Sequence, residues 1–329
     1  MSKNSNLLKA KKVKNDEFYT RYSDICKELK HYRSQFKDKT VYCNCDNPHI
    51  SNFWKYFQKN FHRLELKGLI ATYKNIGLRY RAFFEGSSIE TSLLYEDGDF
   101  NSGECINILK WSDIVVTNPP FSLFVSYVSL LMEYDKKFLI LGNKNALNCK
   151  EIFRWFRDNR LWLGYGSPEG FDSPSGYVDM KGLCRWFTNL YIFKRRDFLK
   201  LTKLYSESEY PKYENFNAIE VSRVSDIPKD YEGVMGVPVT FLDVYNPEQF
   251  EILGRSGDTD WVKDECDFFT PPSEEKQGIY KRYDGNWRVQ NSYLLNEDGM
   301  PRCIYYRVFI RRKNNVKKQQ FIKSKESQE

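Results

Sequence analysis

The tetrapeptide Asn118-Pro119-Pro120-Phe121 holds the residue types that chemistry at an aromatic amine requires. Such an amine is a poor nucleophile, because its lone pair is delocalised into the ring. Two acceptors set around the NH2 group draw it toward tetrahedral geometry and localise that pair. The side-chain oxygen of Asn118 supplies one acceptor and the backbone carbonyl of Pro119 the other, while the double proline fixes the chain direction. Phe121 adds a flat face on which a planar base can stack. No strong base is needed first, because the rate comes from positioning and from preorganised acceptors. A plain Asn-Pro turn between a strand and a helix is the alternative reading. The flanks argue against it. Residues 113–117 form an apolar strand and a helix follows over 123–134, so the tetrapeptide lies beyond the carboxyl end of a strand. Ligands bind at that place in open α/β sheets.

The elements that must hold this turn alternate along the chain. Phe18, Tyr22, Ile25, Leu29 and Tyr32 recur at helical spacing over residues 16–36. Residues 40–43 read as a short strand, 51–61 as an aromatic-rich helix and 66–73 as a second strand. A further segment ends at Tyr95, ahead of Glu96-Asp97-Gly98-Asp99-Phe100. After the helix over 123–134, residues 137–141 read as a strand ending at Gly142-Asn143, and 161–163 and 184–193 as two more. Short apolar strands alternating with helices predict a buried, mostly parallel sheet covered on both faces. A loop rich in Gly, Ser and Pro spans 164–176; it reads either as a mobile cover for the site or as a plain connector. Beyond about Arg196 the pattern loosens. There, residues 302–312 alternate as one strand, with Ile304, Tyr306, Val308 and Ile310 on one face and Tyr305, Arg307, Phe309 and Arg311 on the other.

Composition bounds the function classes. The chain has 329 residues, 41% of them apolar, enough for a sizeable core and too many for a disordered chain. Aromatic residues make up 16%, with 23 Tyr and 24 Phe, which leaves some for stacking on planar ligands. The formal charge of +7 suits a polyanionic partner and equally a merely basic soluble protein. Residues 1–14 carry five Lys and no acid, which reads as a basic arm. With eight Cys, three His and no Cys-x-x-Cys, a structural metal site is not expected. No apolar leader and no run of about 18 apolar residues occurs, so a cytoplasmic chain with reduced thiols and no membrane partner is expected.

Several strings together resemble the amino-methyltransferases, and more closely the EcoRI-type adenine-specific DNA methyltransferases. Beyond Asn118-Pro119-Pro120-Phe121 they are Asp16-Glu17-Phe18-Tyr19-Thr20, Tyr42-Cys43-Asn44-Cys45-Asp46, Gly98-Asp99-Phe100, Asp113-Ile114-Val115-Val116-Thr117 and Trp186-Phe187-Thr188-Asn189-Leu190. The resemblance spans most of the chain. It implies a doubly wound, mostly parallel, seven-stranded α/β methyltransferase sheet with a smaller C-terminal target-recognition region. The expected division is a basic arm over 1–15, a catalytic domain over 16–200 and a recognition region over 201–329. It also implies S-adenosyl-L-methionine as cofactor and N6-methyladenine as product. Phe18, Tyr19 and Thr20 would lie beside the methionine part of the cofactor, and Asp46 in the cofactor loop. Asp99 would accept a hydrogen bond from the cofactor's adenine amine, with Phe100 packed on that ring; a plain Asp-Gly-Asp turn acid is the alternative for Asp99. The implied partners are double-stranded DNA and, functionally, a restriction endonuclease, with the chain acting as a monomer.

Two departures stand out. The loop after the first strand, Asp46-Asn47-Pro48-His49-Ile50-Ser51-Asn52, has no glycine, although Asn can take positive φ and so keeps the turn feasible, and the resemblance implies that this loop binds the cofactor. Residues 71–74, Ala-Thr-Tyr-Lys, offer no acid for the cofactor's ribose. Target recognition requires flipping the adenine out of the duplex, at a cost of a few kcal/mol. Tyr280-Lys281-Arg282-Tyr283, Trp287-Arg288 and the face carrying Arg307 and Arg311 are candidates for DNA contact or simply solvated surface. Rival readings are an RNA base amino-methyltransferase and an inactive nucleic-acid-binding module. Cytosine amine transfer usually has Ser in place of Asn118, and carbon-5 transfer needs a Pro-Cys pair that this sequence lacks.

Overall fold

The computed structural model describes residues 19–75, 78–173, 176–283, 285, 287–304 and 306–313. The basic arm over 1–15, the residues Asp16, Glu17 and Phe18, two positions of the 164–176 loop and Tyr305 lie outside the described residues. The chain divides into two compact units. One takes the chain up to Ile152 together with Leu161–Ile192; the other takes Phe153–Arg160 and the chain from Phe193 onward.

The first unit runs β1 (Tyr19–Thr20), α1 (Tyr22–Leu29), β2 (Thr40–Asn44), α2 (Asn52–Lys59), β3 (Gly68–Asn75), β4 (Leu78–Phe84), β5 (Ile89–Leu93), α3 (Gly103–Trp111) and β6 (Ile114–Thr117). It continues with α4 (Phe124–Glu133), β7 (Lys137–Asn143), the start of α5 (Lys150–Arg157), β8 (Trp162–Leu163), β9 (Gly170–Ser173), β10 (Gly176–Asp179) and β11 (Cys184–Thr188). Eight strands form one mixed sheet in the order β5-β4-β3-β2-β6-β7-β11-β8. Its centre is parallel, where β2 pairs with β3 and β6, and β6 with β7. Its margins are antiparallel, at β3–β4, β4–β5, β7–β11 and β11–β8. The expected seven-stranded, mostly parallel sheet is corrected in this respect. At the β3–β4–β5 margin the reason is chain length: β3 ends at Asn75 and β4 begins at Leu78, far short of the dozen or more residues a parallel crossover needs.

The central strands are buried on both faces, as parallel strands must be. Val41, Cys43, Ile114, Val116, Leu139 and Leu141 pack with Ile25, Leu29, Phe53, Trp54 and Phe57 in one core cluster. Their alternates Tyr42, Val115, Phe138 and Ile140 are equally buried. The helix expected over 16–36 is shorter than its periodicity suggests. Tyr19 and Thr20 pair instead with Asp172 and Phe171, and α1 begins only after them.

The second unit adds β12 (Ala218–Glu220), β13 (Val234–Pro238), β14 (Phe250–Arg255), α6 (Thr259–Asp264), α7 (Glu274–Tyr283), β15 (Ser292–Leu295), β16 (Pro301–Ile304) and β17 (Arg307–Arg312). Four of its strands form a sheet in the order β12-β13-β17-β14, and β15 pairs with β16. The single strand expected over 302–312 is therefore two. β17 sits inside its sheet, with Val308, Phe309 and Ile310 all buried, so neither face is solvated. Phe309 is the hub of an aromatic cluster with Tyr213, Phe216, Trp261 and Phe268.

Candidate active site

The site is built at the carboxyl ends of the parallel strands. β2 ends at Asn44, and Cys45 takes the left-handed conformation, φ 67°, that lets the chain turn without a glycine. The glycine-free turn is thus made by a Cys rather than by one of the loop's Asn residues. The turn directs Asp46 inward. Its carboxylate accepts hydrogen bonds from Ser51 Oγ at 2.7 Å and from Thr117 Oγ1 at 2.6 Å. Burial pushes the Asp46 carboxyl up to about 6, against the downward pull of the two hydroxyl bonds. Ser51 also caps α2, accepting from the amides of Phe53 and Trp54. Asn52 Nδ2 donates to the Thr20 carbonyl at 2.9 Å, which ties this loop to β1.

A second loop, between β5 and α3, brings Asp99. Gly98 has φ 71°, a conformation that favours glycine. The Asp97 carboxylate accepts the Asp99 amide at 2.9 Å and pairs with Lys74 Nζ at 3.1 Å. That amide bond first, and Lys74 second, hold the Asp97 carboxyl below the usual range. Lys74 stands near the end of β3, where the sequence offered no acid. Asp99 Oδ1 accepts the Asn101 amide at 3.0 Å, the local bond of a turn acid. Phe100 is buried, edge-on to Tyr127 at 5.0 Å between centroids.

The third segment is the tetrapeptide itself. β6 runs into Asn118 and Pro119, and Pro120 is extended before a 3₁₀ turn at Phe121–Leu123 leads into α4. α4 packs so closely on β7 that a Cβ at Gly142 would collide with the Phe124 ring. Within the 164–176 segment, expected as a loop, Gly170–Ser173 form β9 and Gly176 opens β10, and these two strands add to β1 as a three-stranded sheet. The segment is anchored through its backbone. The buried Glu28 carboxylate accepts the amides of Tyr165 at 2.7 Å and Gly166 at 2.8 Å, and Asp24 accepts that of Glu169 at 3.0 Å.

These segments enclose a cavity of about 360 Å³. Tyr19, Thr20, Asp46, Asp99, Phe100, Asn118, Pro119, Pro120 and Phe121 all line it. Every site residue singled out from the sequence is therefore brought together, except Phe18, which lies outside the described residues. Asn47 of the expected cofactor loop lines the cavity too, and sequence reasoning missed Thr72 and Lys74, which also line it. The signal that could have found them is position alone, since each lies at or just beyond the end of a parallel strand. Thr20 Oγ1 is buried with no hydrogen-bond partner among the described residues. Such a hydroxyl is costly unless something polar pairs with it.

The DNA-contact candidates fare differently. Tyr280 and Trp287 are buried and pack with Tyr293, so they are core of the second unit. Arg307 is bound to the buried Glu220 through both Nε, at 2.9 Å, and Nη2, at 2.7 Å. Both readings are corrected: tertiary packing uses side chains that the sequence pattern left open. Lys281, Arg282, Tyr283 and Arg288 remain exposed. Among the described residues, no cluster of three or more His, Cys, Asp or Glu could hold a metal ion, and no helix is long and apolar enough to cross a membrane.

The family described as "Adenine-specific methyltransferase EcoRI" matches residues 6–86 and 78–313. The chain is 47% identical to the Type II methyltransferase M.EcoRI of Escherichia coli, over 76% of this chain and 89% of that one. It is 42% identical to the Type II methyltransferase M.MpnI of Mycoplasma pneumoniae and 40% identical to M.MgeORF184P of Mycoplasma genitalium, each over 74% of this chain and 84% of the relative. No match was found among solved structures. With this similarity along most of its length, the chain belongs to the EcoRI-type adenine-specific methyltransferase family.

Proposed function

We propose that the chain methylates the N6 amine of a flipped adenine at a specific site in double-stranded DNA, as the modification partner of a restriction system. The observation that carries this reading is the meeting of Asn118-Pro119-Pro120-Phe121 with Asp99 and Thr20 in one cavity. The relatives' description as Type II methyltransferases supports the DNA substrate and the restriction setting.

The cavity suits S-adenosyl-L-methionine. Its volume falls within the roughly 300–1,000 Å³ of small-molecule sites. The Asp99 carboxylate keeps acceptor capacity for an adenine amine, Phe100 and Tyr19 offer rings, and the Thr20 hydroxyl offers a polar partner for the methionine end. Bound there, the cofactor would supply a sulfonium methyl group and leave as S-adenosylhomocysteine. Asn118 Oδ1 and the Pro119 carbonyl accept the two amine N–H bonds and localise the nitrogen lone pair. Phe121 holds the base plane. The methylated nitrogen then releases one proton to solvent, which restores a neutral amine.

The first unit does this chemistry, and the second recognises the target, with Lys281, Arg282 and Arg288 among its exposed cations. The chain acts as a monomer. The experiment is expression in a host lacking adenine methylation, followed by sequencing of its DNA for modified bases. Methyladenine at one short motif is expected. Unmodified DNA from cells holding folded protein and cofactor would sink the reading and point to RNA or to an inactive binding module.

A further inference from the structure

Thr117, the residue just before Asn118, is fully buried, and its hydroxyl does not serve the strand it sits on. The preceding Ile114-Val115-Val116 is purely apolar, and a valine would continue it with nearly the same shape. Instead the Thr117 hydroxyl reaches across to β2 and its loop, where its one proton lies between two acceptors, the Asn44 carbonyl and Asp46 Oδ2. The other Asp46 oxygen accepts from Ser51, which caps α2. Asn44 Oδ1 in turn accepts the Thr72 hydroxyl of β3 at 2.8 Å. One buried carboxylate thus ties the β2 loop and the start of α2 to the last residue of β6.

We propose that the Asp46 carboxylate and the Thr117 hydroxyl form a strut that sets the position of Asn118, and that both are positioning residues for methyl transfer. The inference rests on the reading that Asn118 binds the amine. Asp46 also lines the cavity proposed for the cofactor, whereas Thr117 does not, so the test is placed on Thr117.

Asp46 is a costly choice for the fold alone. Among the described residues no cation pairs with it, and its side-chain partners are two hydroxyls. The titratable groups facing it are the Cys43 and Cys45 thiols and the Tyr127 phenol, all pushed upward by burial and so neutral. A buried carboxylate with only hydroxyl partners is a poor source of stability. As a charged acceptor it makes stronger, shorter and more directional bonds than an amide would. Direction is what a turn carrying a nucleophile-orienting Asn requires, because a shift of about 1 Å can cost roughly 100-fold in rate.

The test uses the full chain with Thr117→Val and Thr117→Ser. Single-turnover methyl transfer is measured on DNA from a host lacking adenine methylation, and S-adenosylhomocysteine affinity by calorimetry. Thr117→Val is expected to slow transfer roughly 10- to 100-fold while affinity stays within about twofold. Thr117→Ser, which keeps the hydroxyl, recovers most of the rate even if the valine variant folds poorly. Thr117→Val at the wild-type rate would overturn the strut. So would a loss of affinity as large as the loss of rate, or a serine variant no better than valine. A wild-type chain that methylates no DNA overturns the reading beneath it and the strut together.

Discussion

Phe171 stands edge-on to Phe121, with ring centroids 6.0 Å apart and planes at 76°. Phe171 belongs to β9 and is fully buried, and its strand pairs with β1 at Thr20. The hairpin therefore braces the ring proposed to hold the base. An edge-to-face aromatic pair contributes about 0.5–1.5 kcal/mol beyond burial. Phe171→Leu should keep the fold while weakening DNA binding about fivefold, equivalent to about 1 kcal/mol. Steady-state KM for DNA beside cofactor affinity checks this. An unchanged KM would mean that the hairpin does not brace Phe121.

Asn118→Ala should abolish transfer and leave cofactor affinity nearly intact, because the amide is asked to act only on the amine. Equal collapse of binding and rate would make Asn118 a structural residue. Asp99→Ala should weaken cofactor binding first, roughly ten- to a hundredfold for a lost hydrogen bond to a charged group. Calorimetry with unchanged affinity would return Asp99 to the role of a turn acid.

Asp46 links stability to pH. Its folded carboxyl lies at about 6, above the ordinary 3.8, so the folded state holds the extra proton between those values. Its contribution is most favourable below the unfolded value and is lost as pH rises through about 6. Asp46→Asn removes this dependence and should be more stable at pH 7.5 than wild type, by up to about 3 kcal/mol, while transferring methyl groups more slowly. Denaturant titrations across pH 4–8 decide the matter. Parallel stability curves for the two proteins would refute the assignment.

Arg307→Ala should act on stability rather than on DNA. The guanidinium lies against a Glu220 that is 4% exposed and also bonded by the Tyr213 hydroxyl. Burial alone would lower the Arg307 pKa, but Glu220 and Tyr213 together raise it. Removing one partner of such a buried pair costs about 3–5 kcal/mol. A phosphate contact would instead change the salt dependence of DNA binding by about one unit in slope. A fall in melting temperature with an unchanged salt slope is expected; the reverse pattern would restore Arg307 to the DNA surface.

The location of the candidate site was legible in the sequence because it is local. An apolar strand, Asn118-Pro119-Pro120-Phe121 and a helix place an amide and a carbonyl at a strand end by backbone geometry alone. The same holds for Asp99, whose turn depends on the neighbouring Gly98. The central strands were legible too, since continuous apolar runs report burial on both faces.

What only the tertiary structure decided is where long-range partners go. Alternation could not tell that Arg307 faces Glu220, 87 positions away, rather than solvent. Helical periodicity over 16–36 could not see that Thr20 would pair with Phe171, or that Asp24 and Glu28 on the polar side of α1 would be buried by loop amides. Nor could spacing show that Asp46 turns away from solvent to meet Thr117, 71 residues on. Local pattern specifies which backbone states a segment prefers. Which polar atom satisfies which is settled only when distant strands are brought together and water is excluded between them.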